Sequence, residues 1–276
     1  MKEIADINKH KDEFRLRLLV TNMCNRKCSF CLNDFQEKNA LPRMLDNELA
    51  KSYIRAYGSY MEAKGEKAIL NISGGEPGVY KQLIELVNCG LASEVHTIIN
   101  TNGTIFHNMD WFLMKYNVGK VRVHVLPGQL DDYKAMSFSP VEIQAVYTND
   151  LTDELGEELV EYYTGLDLPI KFFVDFYGDE ALNTRYVNFI QNMRAKYPDK
   201  IIKARYTGIQ QNRGMGCNGC DRKCITLKAL WLFPNGVAST CPQLDKHHYP
   251  KATTEKDIYQ QIHAAYKFHM NGCKHT

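Results

Sequence analysis

The chain has 276 residues, a formal net charge of +2 and 44% hydrophobic residues, with a mean hydropathy of −0.39. That is long enough for one barrel-sized core plus a small appendix, and too evenly charged for the broad basic field of a nucleic-acid-binding surface. No run approaches the roughly 18 apolar residues of a membrane span, and the charged start MKEIADINKHKDEF does not read as a signal peptide, so a cytoplasmic protein with no membrane or nucleic-acid partner is expected.

Taken in order, Phe14–Val20 reads as a first strand. Asp46 can cap a helix reaching about Lys64, with Leu49, Tyr53, Ala56, Tyr57 and Tyr60 on one face. Lys67–Ser73 is a second strand, followed by a helix over Val79–Asn88 that stops near Gly90. Glu94–Asn100 is a third strand, Met109–Tyr116 a short helix and Lys120–Leu126 a fourth strand. The fifth, Val141–Thr148, follows a gap too short for a crossover helix, in which Leu130–Met136 has room for a turn or two. Thr152–Gly165 is an acidic amphipathic helix with its own N-cap, Pro169–Phe176 a sixth strand, and a last helix runs from about Asn183 to Lys196. Strands alternating with helices imply βα units and a parallel sheet. From Lys200 the alternation is expected to stop. There ITLKALWLFPNGVAST reads as a strand, a Pro-Asn-Gly turn and a second strand.

Chemistry concentrates in the nine cysteines, whose clustered spacings without a secretory signal point to metal rather than to disulfides. Cys24, Cys28 and Cys31 follow the first strand as C-x3-C-x2-C. Three thiolates are one short of a closed tetrahedral zinc site, for which Asp34 or His10 is the nearest further ligand, and one short of a four-cysteine iron–sulfur site. Cys217, Cys220, Cys224 and Cys241 supply four thiolates as C-x2-C-x3-C-x16-C, enough for a complete site of either kind. Between Lys200 and Lys228 seven Lys/Arg stand against one Asp, which suits a negatively charged thiolate cluster, an acidic partner or simply a solvated face. Cys89, one residue before Gly90, reads as a small core residue, and the many tyrosines at helical spacing read as packing.

The first thiol loop, with Phe30 just before its last cysteine, resembles the cluster-binding signature of the radical S-adenosylmethionine (SAM) enzymes. Gly74-Gly75-Glu76-Pro77 after the second strand is similar to the family's GGEP motif, and Thr101-Asn102-Gly103 after the third to its TNG motif. The resemblance implies a partial (β/α)6 TIM-type barrel with chemistry at the C-terminal ends of its strands, where all three motifs lie. It implies a [4Fe–4S] cluster on Cys24, Cys28 and Cys31 whose fourth iron is open to SAM, and reductive cleavage of SAM to methionine and a 5′-deoxyadenosyl radical. Gly74 and Gly75 would let the backbone approach a ligand, Glu76 beside Pro77 would face the positive end of SAM, and Asn102 with the backbone near Phe30 would meet ribose and adenine. His124 on the fourth strand is either a SAM contact or a structural histidine, because Val125-Leu126-Pro127-Gly128 stands where the family has polar residues.

The C-terminal part resembles the twitch or SPASM extensions of the same family, through Cys224, eleven residues, Gly236, four residues and Cys241. That likeness implies an auxiliary [4Fe–4S] cluster, with a zinc ribbon as the alternative and Cys273 either a replacement ligand or a hydrogen-atom donor. The expected division is a barrel over residues 1–199 and a cysteine-rich domain over 200–276. The resemblance further implies a reductant such as flavodoxin or ferredoxin. It favours a peptide or protein substrate over a small molecule, because auxiliary clusters are common in peptide-modifying members. The competing reading is a non-catalytic iron–sulfur or zinc protein of the same fold.

Overall fold

The computed structural model describes residues 13–31, 43–104, 118–126, 141–175, 178–205, 229–240 and 248–271. Period-two alternation in the strands sets the architecture. In β1 (Arg15–Leu19), Leu16 and Leu18 are fully buried while Arg15 and Arg17 are half-buried on the other face. β2 (Ile69–Ser73), β3 (His96–Thr101), β4 (Lys120–Val125), β5 (Val141–Tyr147), β6 (Ile170–Val174) and β7 (Ile202–Arg205) follow, each parallel to the strand before it. Leu70, Ile72, Ile99, Val121, Val123, Ile143, Phe172 and Ala204 continue the apolar face into one core. Helices α1 (Asn47–Glu62), α2 (Leu83–Ala92), α3 (Asp153–Gly165) and α4 (Glu180–Lys196) cover that face. One face is thus sealed by helices and the other keeps polar side chains, which is the layering of an α/β barrel wall.

Local chemistry explains the helix starts. The Asp46 carboxylate accepts the Leu49 N–H at 2.8 Å, and Thr152 accepts that of Leu155 at 3.3 Å. α4 begins at Glu180, three residues before the sequence expectation, because Asp179 takes the Leu182 N–H at 2.8 Å and acts as the cap. α2 starts later than expected, after a separate 3₁₀ turn over Pro77–Val79, and runs through Gly90 instead of ending there. A Cβ at Gly90 would lie 2.5 Å from the Thr97 hydroxyl, so this glycine serves the close packing of α2 on β3.

The C-terminal third departs from expectation in one respect. The alternation does not stop at Lys200, because β7 adds another parallel strand. The expected hairpin is present as β8 (Ala229–Leu232) and β9 (Ala238–Ser239), paired antiparallel, with β10 (His248–Tyr249) beside β9. β8 also pairs in parallel with β1, so all the strands form one ten-stranded sheet in the order β10-β9-β8-β1-β2-β3-β4-β5-β6-β7. α5 (Glu255–Asn271) returns to α1, where Tyr60 Oη meets His263 Nδ1 at 3.0 Å and Tyr53 hydrogen-bonds Gln261. The expected helix over 109–116 and the segment 130–136 lie outside the described residues. Among the described residues, no helix is long and apolar enough to cross a membrane.

Candidate functional site

The loop carrying Cys24, Cys28 and Cys31 leaves the C-terminal end of β1 and is tied at both ends. Asn22 N–H donates to Arg43 O at 3.1 Å and Leu45 N–H to Val20 O at 2.9 Å, so the chain returns beside its own start. Thr21, fully buried, donates its hydroxyl to Arg43 O at 2.9 Å and accepts the Met23 N–H at 3.0 Å. Cys24, Cys28 and Cys31 form no disulfide among the described residues; Cys24 is exposed, Cys28 and Cys31 are partly so, and the Cys31 N–H closes a turn onto Cys28 O at 3.2 Å. Phe30 lies half-buried in that turn.

The loop after β2 is locked directly onto the thiol loop. Gly75 N–H donates to Thr21 O at 2.6 Å and Glu76 N–H to Met23 O at 2.8 Å. A Cβ at Gly75 would fall 2.0 Å from Met23 O, and one at Gly74, whose φ is +139°, would fall 2.4 Å from Thr21 O. Both glycines therefore permit two protein loops to touch. The sequence suggested approach to a ligand; the structure gives loop-to-loop contact as the immediate use.

Glu76 and Pro77 are buried, Glu76 completely. One oxygen of Glu76 accepts the Gly78 N–H at 2.9 Å and the Thr101 hydroxyl at 2.6 Å, and the other accepts the Asn102 N–H at 2.7 Å. Burial pushes this carboxyl above its ordinary value, while those donors, Thr101 first, pull it back. The side chain thus joins the loops after β2 and β3. Asn102 is the outward link: its amide nitrogen donates to Asn25 Oδ1 at 2.8 Å and approaches Cys24 Sγ at 3.8 Å. Thr104 completes the set, receiving the Asn25 amide at 2.6 Å and donating its own hydroxyl to Asn102 Oδ1 at 2.6 Å. Thr101 was read from sequence only as part of its motif, and Thr21, Asn25 and Thr104 were given no role. Their signal was their position beside or within the motifs, as small polar residues able to close loop hydrogen bonds.

His124 lies on β4, on the sheet face without helices, opposite Gln144 in register. Its ring stacks on Phe173 at 6.0 Å. Burial lowers its pKa to about 4 against a hydrogen bond to Gln144, so the imidazole is neutral at pH 7. The same face holds Glu142, buried, with Arg122 Nε at 3.0 Å, Lys203 Nζ at 3.0 Å and Lys120 Nζ at 3.8 Å. Sequence reading passed over this cluster, because one or two charges on each of several strands look like ordinary exterior polarity until the register is known.

The motifs that follow β1, β2 and β3 are therefore brought together at the C-terminal ends of three adjacent strands. Cys217, Cys220, Cys224, Cys241 and Cys273 lie outside the described residues. Cys89 is half-buried against the core, its thiol facing Lys51 O at 3.7 Å. Among the described residues, no three His, Cys, Asp or Glu side chains gather as ligands of one metal ion. An iron–sulfur cluster sets a different demand, since each iron takes its own thiolate, and three accessible thiols on one anchored loop fit it.

Residues 18–136 match the sequence model of the Radical SAM superfamily. The chain is 25% identical over 178 residues to a GTP 3',8-cyclase of Stenotrophomonas maltophilia (strain K279a), covering 57% of this chain and 53% of that protein. It spans about half the length of such curated relatives. Among solved structures, Streptococcus suis SuiB bound to precursor peptide SuiA superposes with a TM-score of 0.62 at 16% identity, over 97% of this chain and 70% of that one. Histidine-tagged anSMEcpe with bound AdoMet gives 0.62 at 16% identity, over 92% and 83%. At these identities the structural likeness establishes the fold.

Proposed function

We propose that the chain is a radical SAM enzyme, since residues 18–136 match that superfamily's sequence model. On this reading Cys24, Cys28 and Cys31 hold a [4Fe–4S] cluster, and the ledge formed by Gly74, Gly75 and the Asn102 loop holds SAM beside it. When bound there, cluster and SAM supply reductive cleavage to methionine and a 5′-deoxyadenosyl radical that takes a hydrogen atom from substrate. The chain's own contribution is position. Thr21 and Met23 fix the height of the thiol loop through Gly75 and Glu76, and Glu76 fixes Asn102 next to Cys24. On the same reading, Asn102 and the backbone near Phe30 meet ribose and adenine. His124, neutral and stacked on Phe173, is better suited to shaping the face than to carrying charge. Cys217, Cys220, Cys224 and Cys241 are the proposed ligands of an auxiliary [4Fe–4S] cluster, zinc being the other group they would suit, and an electron donor of the flavodoxin or ferredoxin kind supplies the reducing equivalent.

The observation that carries the reading is the direct hydrogen-bonded union of three motif loops around Cys24. The test is anaerobic reconstitution, reduction with dithionite and incubation with SAM. Equal yields of 5′-deoxyadenosine and methionine are expected, and none from a Cys24/Cys28/Cys31→Ala variant. Iron-loaded wild-type protein that leaves SAM intact would instead favour a non-catalytic iron–sulfur protein.

Two substrate classes remain in play. One structural neighbour carries a bound precursor peptide, and curated relatives are named for GTP. The charged cluster at Glu142 supports the small-molecule reading over the peptide or protein expected from sequence.

A further inference from the structure

The face of the sheet opposite the helices is unusual in its charge. Lys120, Arg122 and Lys203 converge on the single carboxylate of Glu142, an excess of two positive charges within one cluster of the described residues. Lys171, in register with Lys203, adds a fourth cation one strand over. Lys120 and Lys203 keep 34% and 42% of their side chains exposed, so their ammonium groups can turn toward a ligand, whereas Glu142 at 4% and Arg122 at 16% form the floor.

A second observation points into the same face. Asn71 is 1% exposed, on the β2 face away from the helices. It shares a rung with Ile98 and, one strand further, with Lys120. Among the described residues, neither its amide oxygen nor its amide nitrogen has a hydrogen-bond partner. A buried amide left unpaired is costly, and a bound polar group removes that cost.

Depth relates this cluster to the thiol loop. Arg122 pairs in register with Asn100, two residues before the Asn102 that touches Cys24. Two residues of strand are about 7 Å. Arg122 thus lies two rungs below the start of the loop that carries Asn102, on the strand beside it.

We propose that Lys120, Arg122, Lys203 and Asn71 form an anion-binding subsite for the phosphate or diphosphate group of a small-molecule substrate, a proposal that rests on the reading of the neighbouring loop as the radical-generating site. Three cations around one point suit a compact, multiply charged group, which arginine and lysine bind by charge-assisted hydrogen bonds. Carboxylates spaced along a peptide would require cations spaced along a groove. The ammonium of Lys120 also sits below its ordinary value, through burial first and then through Arg122 and Lys203 against the pull of Glu142. An arriving anion relieves that repulsion.

The experiment is calorimetric titration of the reconstituted protein with pyrophosphate at physiological salt, with SAM present. Saturable binding is expected, weakened roughly tenfold or more by the Lys120→Ala/Lys203→Ala double substitution. Glu142→Gln removes the competing carboxylate and is expected to tighten binding severalfold, a gain that misfolding does not produce. Pyrophosphate that fails to bind the wild type, or that binds the double variant equally well, overturns the subsite. So does a hexaglutamate peptide that binds where pyrophosphate does not. SAM cleavage by the wild type is measured in parallel: cleavage without pyrophosphate binding removes only the subsite, and binding with the expected variant pattern but no cleavage removes only the radical reading.

Discussion

Glu76 uses its whole carboxylate inside the protein, accepting from Gly78, Thr101 and Asn102. Glu76→Ala leaves two backbone N–H groups and a hydroxyl short of an acceptor, for a loss of about 3 kcal/mol, read as a lower denaturant midpoint of the reconstituted protein. Because Asn102 loses its anchor, the same variant is expected to raise KM for SAM roughly tenfold while the N-terminal cluster still loads. A purely structural glutamate would lower the midpoint and leave KM alone. From sequence, Glu76 was legible as a motif residue at a strand end, but its contacts with the loop after β3 were not. A motif gives the residue and its place on a strand end; it does not say whether the carboxylate turns outward to a ligand or inward to the next loop.

Among the elements, α1 shows how aromatic residues join layers. Tyr57, fully buried, donates to Phe14 O at 2.7 Å and accepts the Ile69 N–H at 3.1 Å, so a single hydroxyl ties β1 and β2 to the helix above them. Tyr57→Phe orphans that buried N–H, and about 2 kcal/mol should be lost, a fall of about 4–8 °C in Tm by calorimetry. The order of strands and helices among the described residues of 13–126 was readable from periodicity, because alternating Leu/Arg in β1 and Val/Arg/His in β4 mark a wall with one dry and one polar side. Caps behaved the same way at Asp46 and Thr152. β7 was not readable: IKAR is short and follows a turn, and only pairing with β6 makes it a strand. The Glu142 cluster was hidden for a related reason, since Arg122, Glu142 and Lys203 become neighbours only through the register of β4, β5, β6 and β7.

At the scale of the molecule, the chain carries two groups of cysteines, of which the N-terminal one is anchored by β1. If each group holds a four-iron cluster, anaerobically reconstituted protein should contain about eight irons, and the Cys24/Cys28/Cys31→Ala variant about four. Zinc in place of the residual iron would make the C-terminal group structural. The sheet order has a kinetic consequence. β1 lies between β2 and β8, so Leu16 faces Leu70 on one side and Leu230 on the other. During synthesis the strand that presents the thiols emerges early, yet its second neighbour is made more than two hundred residues later (Arg15 against Ala229). Such distant pairing is slow to form and leaves an open edge meanwhile, a template for association with other chains. The platform for the thiol loop is complete only once β8 has been made and paired, so a low yield of iron-loaded protein is expected to reflect folding before iron supply.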